Sequence, residues 1–211
     1  MKNLFFNFSK KVIAFFLFSV LLLNAQTTKD FDISDFSKID LSGAFNVNIT
    51  QGTSPKLLAK GDKDDLEFIE IKVEYGTLYI SLKDRCELDD DIKLEIITKE
   101  LNELECSGAN EVEISDLNTN KFDLDISGAC EVTIDGKTNE FNVDASGATD
   151  LNAKNFISEK VTLDVSGASD CSVYASDYLE VDISGVGNVD YYGDPEEVKE
   201  DVSWLCSLNK K

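Results

Sequence analysis

Carboxylates are the side chains with chemistry to offer in this chain. Glu105, Asp125, Asp144, Asp164 and Asp182 each stand three places before a glycine, and Glu111, Glu131, Asp150, Asp170 and Asn188 stand three places after the same glycines. Two carboxylates at a fixed separation could hydrolyse a glycosidic bond, and several oxygens together could hold a hard cation such as calcium. Neither chemistry is singled out. Outward acids recur in every segment, so no pair differs from its neighbours, and the glycine-rich nonapeptide GGxGxDxUx of calcium-binding repeats is absent. The chain has no histidine, which removes the usual general base, the Ser-His-Asp triad and most catalytic zinc sites. Its one arginine, Arg85, sits in a charged stretch, and the general negative field would repel the acidic sugars on which a polysaccharide lyase acts. The expectation is a protein without catalytic residues, metal site or cofactor, binding divalent cations weakly and diffusely. Asp125, Asp144, Asp164 and Asp182 are its candidate contact column.

What must position these acids is a recurring segment. Gly108, Gly128, Gly147, Gly167 and Gly185 follow one another at a near-constant period, each within a Ser-Gly-Ala or Ser-Gly-Val step. Two residues before them stand Cys106, Ile126, Ala145, Val165 and Ile183, and four before stand Leu104, Leu124, Val143, Leu163 and Val181. Four after come Val112, Val132, Leu151, Cys171 and Val189, and six after come Ile114, Ile134, Ala153, Val173 and Tyr191. Apolar residues at every second place, with acids between them, are the pattern of a half-buried strand on each side of a turn. Glycine suits that turn because a tight corner needs a residue tolerant of positive φ.

Each segment reads as strand, corner, strand and then a connection such as Asp135-Gly136-Lys137-Thr138-Asn139. One such unit cannot bury its apolar face, whereas stacked units can, so a period of about 20 residues predicts an all-β solenoid. Gly43 has the same surroundings, with Ile39 and Leu41 before it and Val47 and Ile49 after it. The solenoid is therefore expected to occupy residues 26–211 as one domain: degenerate coils over 26–100, regular repeats over 101–193, and an acidic tail or cap over 194–211. Within the degenerate part, Lys56 to Ala59 reads as a strand, Lys63 to Phe68 as a short helical turn, and Ile71 to Leu82 as a hairpin turning at Tyr75-Gly76. Asp84 to Asp91 reads as a charged loop, and Val202 to Cys206 as a segment covering the last coil.

The segment 1–25 reads as an export signal rather than as fold. Lys2, Lys10 and Lys11 precede an apolar run from Val12 to Leu23, and Ala25 is a small residue at the expected cleavage point. Twelve residues of helix span about 18 Å, short of a bilayer core of roughly 30 Å. The mature chain is expected to lie in the periplasm, at the outer surface or outside the cell, without a transmembrane segment. Removing the signal moves the formal net charge from −21 to −24, which excludes nucleic acid as a natural partner. The five cysteines, Cys86, Cys106, Cys130, Cys171 and Cys206, show no CxxC spacing, and an odd number leaves one thiol unpaired within a monomer. Cys106 and Cys171 stand at aliphatic positions and read as small core residues, too far apart to bridge each other.

The S-G-A steps at Gly108, Gly128, Gly147 and Gly167, the opening Phe36-Ser37-Lys38-Ile39-Asp40-Leu41-Ser42-Gly43-Ala44-Phe45-Asn46-Val47 and the closing Tyr191-Tyr192-Gly193-Asp194-Pro195 together resemble the putative auto-transporter adhesin, head GIN domain family. The resemblance implies a right-handed, parallel β-helix-like solenoid of two sheets joined by tight glycine turns. It also implies an exported bacterial protein with a role in adhesion. Trp204 and Cys206 stand where the family tends to have glycine-containing steps. Two function classes follow: a binding module whose partner is a surface glycan, a surface protein or a second copy, or a structural, self-assembling component of the envelope. A carbohydrate-active β-helix enzyme stands third.

Overall fold

The computed structural model describes residues 27–83, 88 and 91–211. The export segment expected over 1–25 lies outside them, as do Arg85 and Cys86 of the charged loop. The fold is all-β. Its elements are β1 (Thr27–Phe31), β2 (Lys38–Gln51), β3 (Lys56–Gly61), a short 3₁₀ turn (Asp65–Glu67), β4 (Ile69–Glu74), β5 (Thr77–Leu82), β6 (Ile92–Thr98), β7 (Glu103–Asn118), β8 (Lys121–Tyr192), β9 (Glu197–Val202) and β10 (Cys206–Lys210).

The parallel part is built on the glycine corners. β2 pairs in parallel with β7 and β7 with β8, in a register that aligns Gly43 with Gly108 and Gly108 with Gly128. Along β8 the corners continue to meet: a Cβ built on Gly147, Gly167 or Gly185 falls within 2.2 Å of the preceding corner glycine's carbonyl oxygen. Backbone pairing runs through the corners, so all ten strands join one open sheet. The segments read as connections are paired as well. After a bulge between Ile114 and Leu117 the register resumes, with Gly136 aligned with Leu117 and Lys137 with Asn118.

Strand alternation then dictates the core. The residues two and four before each corner glycine are buried, and so are those four and six after it as far as Val173. The far side adds Leu117, Phe122, Phe141, Phe156, Val161 and Leu179, all at most 2% exposed. Phe141 and Phe156 meet edge to face with centroids 5.2 Å apart, and Phe122 packs on both at 6.0 Å. Phe156 is fully buried. Beside the corners three inward positions are polar, Asn110, Thr149 and Ser169: Asn110 accepts from the Phe45 N–H at 3.1 Å and donates to the Ser107 carbonyl at 2.8 Å.

Residues 26–100 do not form degenerate coils throughout. β1 pairs antiparallel with β3, β3 with β6, and β4 with β5. The hairpin turns at Tyr75 (φ 50°) and Gly76 (φ 81°), and two successive positive φ values suit the right-handed strand twist that closes a two-residue hairpin. β5 and β6 then lie in parallel along the two halves of β2, over Lys38 to Ser42 and Phe45 to Gln51. The tail lies against the end of β8, with Val202, Cys206 and Leu208 packed on the core. β9 pairs in parallel over Tyr178 to Ile183 and β10 over Gly187 to Tyr191, which adds one more strand pair to the stack. Trp204 lies beside the Gly185 corner, in a turn closed by the Cys206 N–H on the Ser203 carbonyl, and its side chain is 89% exposed rather than covering anything.

Candidate functional site

The parallel register converts a sequence spacing into a surface. Because β7 and β8 bury the residues on either side of Glu105 and Asp125, those carboxylates must point outward. Asp40 aligns with Glu105, and Glu105 with Asp125. At the other end Asp182 aligns with Asp201. Asp125, Asp144, Asp164 and Asp182 are all exposed, and the column extends beyond them to Asp40, Glu105 and Asp201. Asp201 lies outside the Gly-centred segments, so the repeat spacing does not reveal it.

Asp40, Glu105, Asp125 and Asp144 line a groove of about 300 Å³ with Ser107, Ser127 and Ser146. Carboxylate oxygens of Glu103, Glu105 and Asp125 come within 4.8 Å of one another. Partial burial pushes the Glu105 carboxyl above its ordinary range, with the Asp40, Glu103 and Asp125 carboxylates adding to the shift. Asp125 is raised in the same way, by burial first and then by Asp144, Glu103 and Asp123. The adjoining column is balanced instead. Lys38 pairs with Glu103, Lys121 with Asp123 at 2.8 Å, and Asn142 donates to Asp123 at 2.8 Å. Burial works against ionisation of Asp123, but these hydrogen bonds prevail and hold its carboxyl below the usual range.

The sign of one pH effect follows. A carboxyl whose folded pKa is raised holds its proton more tightly in the folded protein. Its contribution to stability is complete below the unfolded value, about 4, and is lost as the pH rises through the raised one. Asp125→Asn removes that loss, so it is expected to raise the melting temperature at pH 7 by roughly 1–2 °C. The gain should shrink as the pH approaches 4. A variant that melts lower than the parent at pH 7, with a deficit independent of pH, would show that Asp125 is held by a favourable contact.

The glycines expected as turns, Gly43, Gly108, Gly128, Gly147, Gly167 and Gly185, all lie at positive φ on the ridge between this column and a second one. The second column contains Glu111, Glu131, Asp150 and Asp170, beside a groove of about 690 Å³ along Ala129, Ala148 and Ala168. Asn188 closes it by donating to Asp170 at 3.0 Å. On the far side, Gln51, Asn118, Asn120 and Asn139 line a groove of about 770 Å³. Its amides are engaged with the protein: Gln51 donates to the Lys99 and Asn118 carbonyls, and Asn139 to Asn120. The recurrence of Asn at those offsets was the available signal. Tyr178 donates to Glu180 at 2.6 Å and accepts from Lys199 at 3.0 Å, which occupies its hydroxyl in holding strand edges together.

Among the described residues, no helix is long and apolar enough to cross a membrane. Among curated proteins none matches the chain. Solved structures do. A putative adhesin from Bacteroides fragilis superposes with a TM-score of 0.70 at 20% identity, over 88% of this chain and 94% of that one. At that identity the likeness shows the fold. A putative adhesin from Parabacteroides merdae matches at 14% identity and a TM-score of 0.49, over 88% of this chain and 96% of that one. A putative lipid binding protein from Parabacteroides distasonis matches at 20% and 0.48, over 88% and 94%. The sequence pattern described as putative auto-transporter adhesin, head GIN domain matches residues 35–195. That span exceeds half of the chain, and the chain belongs to this family.

Proposed function

We propose that this protein is an exported, non-enzymatic binding module of the cell envelope. It winds as a right-handed parallel β-helix-like solenoid and engages its partner along the acidic column. The observation that carries this reading is the contrast between neighbouring columns. The column through Asp125 is acidic wherever the register aligns it, from Asp40 to Asp201, whereas the adjoining one carries Lys38 and Lys199 opposite Glu103 and Glu180. Nothing in folding calls for seven stacked acids, and burial and mutual repulsion already raise two of them. A partner that presents basic groups, or divalent cations held between acidic surfaces, would relieve that repulsion. The family is one of adhesins by description, which supports a surface glycan, a surface protein or a second copy as the partner class.

Contact distributed over a column predicts a specific dose dependence. Single Asn substitutions at Asp125, Asp144, Asp164 or Asp182 are expected to change binding to a glycan and matrix-protein panel by less than about 5-fold. The quadruple variant should lose more than about 10-fold, since each weak contact near a surface contributes at most about 1 kcal/mol and each 1.4 kcal/mol is tenfold. Millimolar calcium and magnesium should raise the melting temperature by similar, small amounts, because diffuse screening needs no cage. An unchanged quadruple variant would move the contact to another face. Depolymerisation of a polysaccharide, abolished by any one of the four substitutions, would make the protein an enzyme.

The second reading, a self-assembling envelope component, is favoured by the open sheet. β1 and β4 at one end, and β9 and β10 at the other, each pair on one side only. Their charged residues, Glu70, Lys72 and Glu74 on β4 and Glu197, Lys199, Glu200 and Asp201 on β9, are of the kind that blunts edge-to-edge pairing.

A further inference from the structure

We propose that Cys106 and Cys130 join in a disulfide that ties two successive glycine corners together in the exported protein. The claim about the cell rests on the export reading given above; the claim about pairing rests on geometry. Cys106 stands two residues before Gly108, and Cys130 two residues after Gly128. The register aligns Cys106 with Ile126 and Asn110 with Cys130, so the two cysteines face each other diagonally across the ridge, one strand apart. Both side chains point inward, at 1% and 3% exposure, and their sulfurs are 3.2 Å apart. A bond requires closure to about 2.05 Å, so the sulfurs must approach by roughly 1.2 Å.

The remaining described cysteines have no such neighbour. Burial pushes the Cys171 thiol up to about 12, with the Asp170 and Asp150 carboxylates adding to the effect. Cys206 lies 3.2 Å from the Ser203 hydroxyl. Among the described cysteines, one bridge leaves Cys171 and Cys206 as thiols.

The contact also orders the chemistry. The hydrogen bond from Cys106 holds the Cys130 thiol below its ordinary range, and the same contact raises Cys106. As the two corners approach during folding, that contact favours Cys130 as the attacking thiolate. Cys130 displaces one thiolate from a disulfide oxidant and forms a mixed disulfide. Cys106 then gives up its proton and attacks the Cys130 sulfur, which releases the second thiolate of the oxidant. Two thiols become one disulfide, and the two electrons leave on the oxidant, whose released thiolates take up the two protons. Because both sulfurs are buried once the corners stack, the exchange belongs to folding. The bridge would then report the redox state of the compartment in which the corner closed.

The test uses the full chain in two preparations. One is recovered from the envelope fraction of a bacterium expressing it, and the other is reduced, unfolded and refolded with oxidised glutathione. Non-reducing peptide mapping is expected to find Cys106 linked to Cys130 in both. Reduction under mild denaturant should lower the melting temperature by roughly 6–12 °C, the shift expected from opening a loop of this size in a domain of this length. Cys106→Ser, Cys130→Ser and the double variant should melt alike, each insensitive to reductant. Free thiols at both positions after refolding with glutathione, or either cysteine linked to Cys86, Cys171 or Cys206, overturn the pairing. A bridge on refolding together with free thiols in the envelope preparation overturns the export reading, and with it the claim about the cell.

Discussion

Gly147→Val is expected to destabilise the protein by at least about 3 kcal/mol, whereas Ser146→Ala next to it changes stability by less than about 0.5 kcal/mol. Two causes add at Gly147. Its φ is 121°, a region in which an L side chain costs roughly 1–3 kcal/mol. An added Cβ would also lie 2.2 Å from the Gly128 carbonyl oxygen, 3.0 Å from its nitrogen and 3.1 Å from its carbonyl carbon. These are backbone atoms, so no rotamer change relieves the clash, and the two corners must separate. Ser146 is exposed and contributes only a 3.4 Å contact to the Ile126 carbonyl. Thermal melts of the two variants check this. With roughly 2–4 °C per kcal/mol for a chain of this length, the valine variant should melt at least about 6 °C lower. Equal small shifts would show that the corners are not packed as described. Trp204 illustrates the same constraint, because a large residue beside Gly185 is accepted where the backbone leaves the corner geometry for a turn.

Phe156→Ala is expected to cost about 3–5 kcal/mol, read as a lower denaturant midpoint at an unchanged slope. The ring is fully buried and sits edge to face with Phe141 and with Phe122. Removing it takes away both aromatic contacts and leaves a void in the far wall, where backbone pairing on either side restrains collapse. Phe156→Leu should cost markedly less, since it keeps most of the apolar volume. If the alanine variant unfolded at the parent midpoint, Phe156 would have to lie at the surface.

The acidic column divides between what spacing shows and what register shows. Alternation alone turns Asp125, Asp144, Asp164 and Asp182 outward, because the residues on both sides of each are apolar. Asp40 stands at the same offset, three places before Gly43, but which strand lies beside it, and that Asp201 completes the column, could not be read from spacing. Asp40 is separated from Glu105 in the chain by the whole antiparallel hairpin, and Asp201 precedes a corner that has lost its glycine. The pairing of Cys106 with Cys130 was hidden for the same reason. The residues occupy different offsets from their glycines, and only the stacking of one corner on the next makes them diagonal neighbours.

By itself the sequence determined the all-β character, the corner positions and the inward and outward faces of the strands beside them. These are local properties: a period of two sets which way a side chain points, and a residue without Cβ is required where φ turns positive. Tertiary structure decided what depends on which strand lies beside which. It closed the antiparallel start around the Tyr75-Gly76 turn, gathered Phe122, Phe141 and Phe156 into one wall, and laid the tail as a further strand pair on the end of β8. Those outcomes rest on hydrogen bonds and side-chain contacts between residues distant in the chain, and such register is settled by the fit of whole strands rather than by any short run of residues.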